Sequence, residues 1–237
     1  MKQTWTLAKR ELQAYFDSPA AYVVLVVFLL FTGYFFTRDL FLMNLASVRS
    51  LFDIAPLLFI FFVPAITMSL FAEERRSGTL ELLLTMPISD TQVIGGKLLA
   101  ASILMLSAVG MTILYAITIS FLGDLDVGAT VGGYIGLVLL GITCSAIGLF
   151  TSSLTRNQIV AFILGFATIL ILYLMDKTWF TIFFPASVGR VLEYMGLDYH
   201  YQNLLRGVID TRDILYYVSM TLFAFLLTAY NLAKRPE

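Results

Sequence analysis

EERRSGTLELLLTMPIS, residues 73–89, is a charged interruption between two long apolar runs, Ile54–Phe71 and Leu98–Leu122. It concentrates charge in a chain of which only 13% of the residues are charged. A solvated loop that fixes the topology is one interpretation of this segment. The other is a docking element for a soluble partner.

The residues inside this segment predict a short helix with an apolar surface. Gly78 breaks the helix that continues from the preceding run, Thr79 caps a new helix reaching Thr85, and Pro87 ends it. Ser89 with Gln92 fits a capping box that starts the next helix. The apolar residues of the short helix are Leu80, Leu82, Leu83, Leu84 and Met86, and its charged rim is Glu73, Glu74, Arg75, Arg76 and Glu81.

The composition is that of a helical membrane protein. Hydrophobic residues make up 59% of the chain, and its share of charged residues is about half of what soluble domains carry. A net charge of −1 indicates no nucleic-acid partner. The single cysteine, Cys144, excludes an intrachain disulfide and a cysteine metal cluster.

We predict one all-α membrane domain over residues 1–237, with six transmembrane helices. Each apolar run approaches or exceeds the ~18–20 residues that span a bilayer as a helix. The first run lacks a following cleavage site and is therefore expected to be a retained anchor. The predicted spans are Ala20–Thr37, Ile54–Ala72, Thr91–Leu122, Val131–Thr151, Gln158–Met175 and Ile214–Leu232.

Residues 1–17 predict an amphipathic helix at the membrane surface, with a basic tail without fixed structure as the alternative. Trp5, Ala8, Leu12 and Tyr15 recur at helical spacing, with charged and polar residues between them. An even number of spans places both termini and residues 73–89 on one side. Because nine of the 15 basic residues fall on that side, we expect it to face the cytoplasm.

Small residues recur along the fourth predicted span. Such residues at every fourth position allow helices to approach closely in lipid, either within one chain or at a dimer interface. They are Gly128, Gly132, Gly136, Gly141, Ser145 and Gly148.

The stretch from Lys177 to Asp213 is too apolar for a plain loop, yet its apolar runs are too short to span. We predict short helices that form a hairpin on the outer side, with Pro185 after the first aromatic run and a turn near Gly196. The hairpin is either re-entrant into the membrane or a pair of surface helices that cap the bundle.

The sequence contains few motifs that are typical of an enzyme. Gly95-Gly96-Lys97 lacks the upstream glycine of a phosphate-binding loop and is followed by Leu98. His200 is the only histidine, and we expect it to be a solvated surface residue rather than a catalytic one. The middles of the predicted spans hold no Asp, Glu, Lys, Arg or His, so energy for transport is expected to come from outside this chain.

The run from Glu74 to Ser89, with its Ser77-Gly78-Thr79-Leu80-Glu81 core, resembles the cytoplasmic motif of ABC-2 type transporter permeases. A second block, Gly207–Asp213 with His200 a few residues upstream, also resembles that family. The resemblance covers the whole chain. In particular, the chain resembles the gliding-motility-type permeases and the accessory permeases of nitrous oxide reductase maturation.

The resemblance implies a permease of the bacterial inner membrane that works as a dimer, with a second identical or related permease. It implies two ATP-binding cassette ATPase subunits that bind ATP and Mg, and no cofactor in this chain. Since no ATPase domain is fused to these spans, the ATPase is expected to be a separate subunit. Further partners are membrane lipid and a periplasmic auxiliary subunit.

The resemblance also assigns residues to three elements. Residues 78–87 would be the coupling helix seated in a cleft of the ATPase, and residues 1–17 the connecting helix at the membrane face. The ATPase-coupling residues would be Glu74, Arg75, Gly78, Thr79, Glu81, Leu83, Leu84 and Pro87; those of the connecting helix Trp5, Leu12 and Tyr15; and those of the outer hairpin Pro185, Gly196, His200, Asp210 and Arg212.

Two other functions compete with transport. A membrane scaffold would anchor an ATPase-containing complex without moving a substrate. An intramembrane enzyme would need paired carboxylates, a metal cluster or a nucleophile within the spans, and the sequence places none there.

Overall fold

The computed structural model describes residues 2–42, 47–80, 88–123 and 125–234, and these residues are almost entirely helical. The first helices are α1 (Lys2–Asp17), α2 (Pro19–Leu42), α3 (Arg49–Thr67) and α4 (Ser69–Ser77). The next are α5 (Asp90–Met111), α6 (Ile113–Leu122), α7 (Val127–Ser153) and α8 (Gln158–Leu174). The last are α9 (Thr178–Thr181), α10 (Ala186–Met195), α11 (Leu197–Leu205) and α12 (Thr211–Ala233).

Within the described ranges, five helical stretches are long and apolar enough to cross a membrane. The sixth predicted span corresponds to α8, which is apolar but only 17 residues long, about one turn shorter than a typical span. The all-helical membrane fold is therefore confirmed, and the six-span layout stays a prediction. The five stretches are Ala21–Phe41, Arg49–Ser77, Asp90–Leu122, Val127–Ser153 and Thr211–Ala233.

The centre of the bundle is α7, which packs against α3, α5, α8, α11 and α12. Its small residues make this packing possible. A Cβ atom on Gly136 would lie 2.8 Å from the ring of Tyr201, and one on Gly141 would lie 3.3 Å from Met105. A Cβ on Gly148 would collide with the hydroxyl of Thr67. These glycines therefore serve packing within the chain, as the first of the two sequence interpretations expects.

The second long stretch is interrupted at Met68, between α3 and α4. Ser152 of α7 supports this interruption, because its hydroxyl donates to the Met68 carbonyl at 2.8 Å. The same hydroxyl accepts from the backbone N–H groups of Phe71 at 3.1 Å and Ala72 at 3.2 Å. One side chain thus satisfies backbone groups in the first turn of α4 and fixes α4 to the centre of the bundle.

The helices meet at two distinct ends of the bundle. The coupling end, defined by residues 73–80, also holds α1 and the end of α12, where the Asn231 amide donates to the Ser153 carbonyl at 2.7 Å. The hairpin end, defined by α9 to α11, holds the start of α3, where the Tyr201 hydroxyl donates to the Phe52 carbonyl at 3.0 Å.

The predicted hairpin turns at Gly196, where α10 and α11 join. Pro185 immediately precedes α10 as its N-cap residue. A Cβ atom on Gly196 would lie 2.6 Å from that of Asp176, so the turn is seated against the end of α8. α11 is largely buried against the bundle, whereas Gly189 is the only buried residue of α10. Insertion of the hairpin into the membrane stays a prediction.

Candidate functional site at the coupling end

The predicted helix break lies at Gly78. α4 ends at Ser77, and Gly78 has φ +75°, in the left-handed region that favours glycine. Thr79 and Leu80 are helical again, and the Thr79 and Ser77 hydroxyls lie 2.8 Å apart. The other predicted coupling residues, Glu81, Leu83, Leu84 and Pro87, lie outside the described part of the chain.

The next helix begins at the predicted capping box. The Ser89 hydroxyl accepts from the Gln92 backbone N–H at 3.4 Å, and the Gln92 side chain accepts from the Ser89 N–H at 3.2 Å. This confirms the sequence interpretation of Ser89. α4 thus ends at Ser77 and α5 begins at Asp90.

Lys97 of α5 is the centre of a buried ion cluster that sequence reasoning did not single out. Its side chain is 1% exposed, and its ammonium donates to Glu74 at 2.7 Å, to the Leu70 carbonyl at 2.8 Å and to Glu11 at 3.3 Å. Three acceptors satisfy all three N–H groups of the ammonium. Lys97 therefore joins α1, α4 and α5 at one point.

The charged residues of α4 differ in how exposed their side chains are. Glu74 is half-buried and pairs with Lys97, while Arg75 is also half-buried. Glu73 and Arg76 are exposed at the surface of the coupling end. Of the predicted coupling residues, Glu74 is thus already engaged within the chain, and the neighbouring exposed charges are the ones accessible to a partner.

The predicted connecting helix is present as α1, and it packs on α5. Leu7 and Ala8 are buried, and α1 comes so close to Gly96 that a Cβ there would lie 3.0 Å from the Thr4 carbonyl. Leu12 and Tyr15 are half-buried. Trp5, which shares their helical spacing, is 59% exposed and lies outside the packed face.

The Tyr15 hydroxyl connects α1 to the third helix. It donates to the Ile66 carbonyl at 2.8 Å, two residues after Pro64 in α3. Burial raises the pKa of Tyr15 far above its ordinary value, so the hydroxyl is protonated and remains a donor. Lys97 and Tyr15 together hold α1 against the helices that lead into the coupling segment.

At the hairpin end, His200 is buried, so the expectation of a solvated histidine is wrong. Its Nδ1 lies 2.6 Å from an Asp213 carboxylate oxygen, and its Nε2 lies 2.9 Å from the Tyr194 carbonyl oxygen. These two partners fix the orientation of the imidazole ring between α10, α11 and α12. The ring also stacks on Tyr216 of α12, with centroids 3.9 Å apart.

The second family-like block has a structural explanation. Gly207 adopts φ +79°, Asp210 caps α12 by accepting from the Arg212 backbone N–H at 2.9 Å, and Asp213 anchors His200. The Arg212 side chain is exposed. The block therefore turns the chain, starts α12 and ties α12 to α11.

A second ion cluster joins the end of α8 to α11. The Lys177 ammonium lies 2.5 Å from Asp198 and 3.4 Å from Asp176. Burial disfavours the Lys177 charge, but the hydrogen bond and charge of Asp198 outweigh it and raise the pKa of Lys177. Burial also raises the pKa of Asp176. Asp198 is thus a partner of Lys177 and not of the neighbouring histidine.

The charged clusters at the two ends join helices to one another. No group of three His, Cys, Asp or Glu residues that could hold a metal ion occurs in the described ranges. His200 and Lys97 are each enclosed by their partners. What the coupling end offers is a mechanical junction of three helices.

Comparison with known proteins agrees with the motifs at both ends. A family model described as "ABC-2 family transporter protein" matches residues 36–230. The matched region extends from the last turns of α2 into the last turns of α12 and includes residues 73–89. No curated protein matches the chain.

Proposed function

This chain belongs to the ABC-2 family of transporter proteins, and from that premise we propose that it is the permease subunit of an ATP-driven transporter whose ATPase is a separate chain. The observation that carries the proposal is the junction at the coupling end. There Lys97 ties α1, α4 and α5 directly beside the glycine break from which residues 79–87 continue.

The packing supports a path by which movement of the ATPase reaches the membrane helices. Residues 79–87 would seat in the ATPase and move with it. α4 would pass this movement on to α5 and α7, because Lys97 holds its middle on α5 and Ser152 holds its start on α7.

The complete transporter would contain two permease copies, identical or related, and two ATPase subunits that bind ATP and Mg. We place it in the bacterial inner membrane with six spans and both termini in the cytoplasm, and with a periplasmic subunit as a further partner. The subgroup most consistent with the motifs is the gliding-motility or nitrous-oxide-reductase accessory type.

Co-purification tests the coupling role. Leu83→Asp and Leu84→Asp should abolish binding of an ATPase encoded beside this gene, because a charge cannot enter an apolar cleft without large cost. Val208→Asp is the matched control, since Val208 is an exposed apolar residue at the hairpin end. If both coupling variants retain the ATPase and its hydrolysis in lipid, residues 79–87 are only a topology-setting loop.

A non-transporting scaffold is distinguished by movement rather than binding. A scaffold would retain the ATPase but would show no nucleotide-dependent change between the two permease copies. We expect the distance between spin labels at Ser77 of the two copies to change when ATP binds. An unchanged distance would favour the scaffold.

A further inference from the structure

A cavity of about 700 Å³ opens at the coupling end between helices α1 to α5. Its volume lies within the range of small-molecule sites, about 300–1,000 Å³. Charged and hydroxyl side chains line one part of it, and Ala21, Val24 and Leu104 line another. Leu104 lies about 21 Å along α5 from Asp90. The cavity thus extends from the polar end of the bundle to the depth of the membrane helices.

The charges that line the cavity do not cancel. Three carboxylates, those of Glu11, Glu73 and Glu74, face two cations, those of Arg10 and Lys97. Lys97 uses all its donors within the protein. Arg10 has an exposed side chain, and one of its nitrogens lies 2.7 Å from Glu11 and 3.8 Å from Glu74, so the donors on its other nitrogens remain accessible. A bound molecule would meet one accessible guanidinium and an excess of carboxylate.

This lining selects among membrane headgroups. A purely anionic headgroup would be repelled by the carboxylates. A quaternary ammonium is typically held by several aromatic faces, but Tyr15 is the only aromatic residue among the described lining residues. A primary ammonium instead offers three N–H donors to carboxylates, and a phosphodiester accepts from a guanidinium.

We propose that this cavity binds a zwitterionic phospholipid with a primary ammonium headgroup, of the phosphatidylethanolamine type. Arg10 contacts the phosphodiester, Glu73 accepts from the ammonium, and an acyl chain lies along Val24 and Leu104. Such a lipid would fill the space between the connecting helix and α4. The proposal rests on the cavity lining and does not require that the chain transports anything.

Native mass spectrometry of the full chain in detergent tests the site. The probes are phosphatidylethanolamine, phosphatidylcholine and phosphatidylglycerol with identical acyl chains. We expect phosphatidylethanolamine to bind about tenfold more tightly than the other two, the effect of one charge-assisted hydrogen bond. Arg10→Gln and Glu73→Gln should each remove about that factor. Arg190→Gln and Glu193→Gln, exposed at the hairpin end, should leave it unchanged.

Several results would overturn the proposal. One is equal affinity for the three lipids, and another is unchanged affinity in both Arg10→Gln and Glu73→Gln with helical content preserved. A third experiment uses soluble glycerophosphoethanolamine, which has no acyl chains, as a competitor of the lipid. If it displaces the lipid at equal concentration, the acyl chain contributes nothing and the cavity is a site for a soluble molecule.

Discussion

A fully buried lysine at the end of a membrane helix is stable only because its partners surround it. Lys97 has one acceptor in α1 and two in α4. Removing one member of such a cluster leaves uncompensated charge in a low-dielectric site, which costs far more than an exposed ion pair contributes. A single substitution at Lys97 should therefore loosen the junction of α1, α4 and α5.

We predict that Lys97→Met lowers the free energy of unfolding by about 3–5 kcal/mol, because Glu11 and Glu74 lose their buried counter-ion and keep only the exposed Arg10. Denaturant unfolding in detergent measures this change. Replacing the acceptor as well, in Lys97→Met/Glu74→Gln, should recover part of the loss. Wild-type stability in the single variant would show that water compensates the two carboxylates.

The glycines of α7 give a second prediction. Gly136→Leu should cost about 1–3 kcal/mol and lower the folded yield, because the new side chain meets the buried ring of Tyr201. Gly110→Leu is the control, since nothing lies within 4 Å of a Cβ at exposed Gly110. Equal yields of the two variants would contradict the packing of α11 on α7.

Single residues also show where sequence reasoning reaches its limit. Gly78 and Ser89 were predictable because a left-handed turn and a capping box depend on a few neighbouring residues. Lys97 and His200 were not, because their burial depends on partners brought together by the fold. Glu11 lies 86 residues from Lys97 in the chain.

At the scale of elements, the end of α8 and the start of α11 are held together by charge. Lys177 has a raised pKa, so its charged form contributes stability below its ordinary value of 10.5, and this contribution is lost as the pH rises through the higher folded value. The contact between α8 and α11 is therefore sensitive to alkaline conditions.

We predict that the thermal midpoint of the wild type falls more steeply above pH 10.5 than that of Lys177→Arg, because a guanidinium keeps its charge there. Lys234→Arg, at an exposed lysine of the coupling end, should follow the wild type. If Lys177→Arg also follows the wild type, the pair with Asp198 contributes nothing to stability.

The helices as units were predictable from the sequence, whereas the interruption at Met68 was not. The apolar runs define α2, α5, α7 and α12, because burial in lipid leaves helix as the only way to satisfy the backbone. The break at Met68 is absent from the local pattern. It depends on Ser152, a residue of α7 that is 84 positions away from the Met68 carbonyl it binds.

At the scale of the whole molecule, the coupling end and the hairpin end lie at opposite ends of the bundle. Which end faces the cytoplasm can be measured. Cysteines introduced at Ser77 and at Thr178, in a Cys144→Ala background, should react with an impermeant thiol reagent from opposite sides. We expect position 178 to be labelled from outside intact cells and position 77 only after lysis. Val208 is a better second outer site than Asp198, which is buried.

The outcomes separate the topologies clearly. Labelling of position 77 from outside would reverse the orientation predicted from basic residues. The six-span layout puts three spans between positions 77 and 178. If both positions were labelled from the same side, one of these three helices would not cross the membrane. We would then expect α8 to be a surface helix.

The shortness of α8 has a consequence for the surrounding bilayer. Its 17 residues extend about 26 Å, whereas a typical hydrocarbon core is about 30 Å thick. A spanning helix of this length creates hydrophobic mismatch, which the membrane relieves by thinning locally or by bringing short helices together. Two copies that meet along α8 would share one thinned patch instead of two. Bilayer thickness itself would then control assembly, and dimerisation should strengthen as the acyl chains of the host membrane lengthen.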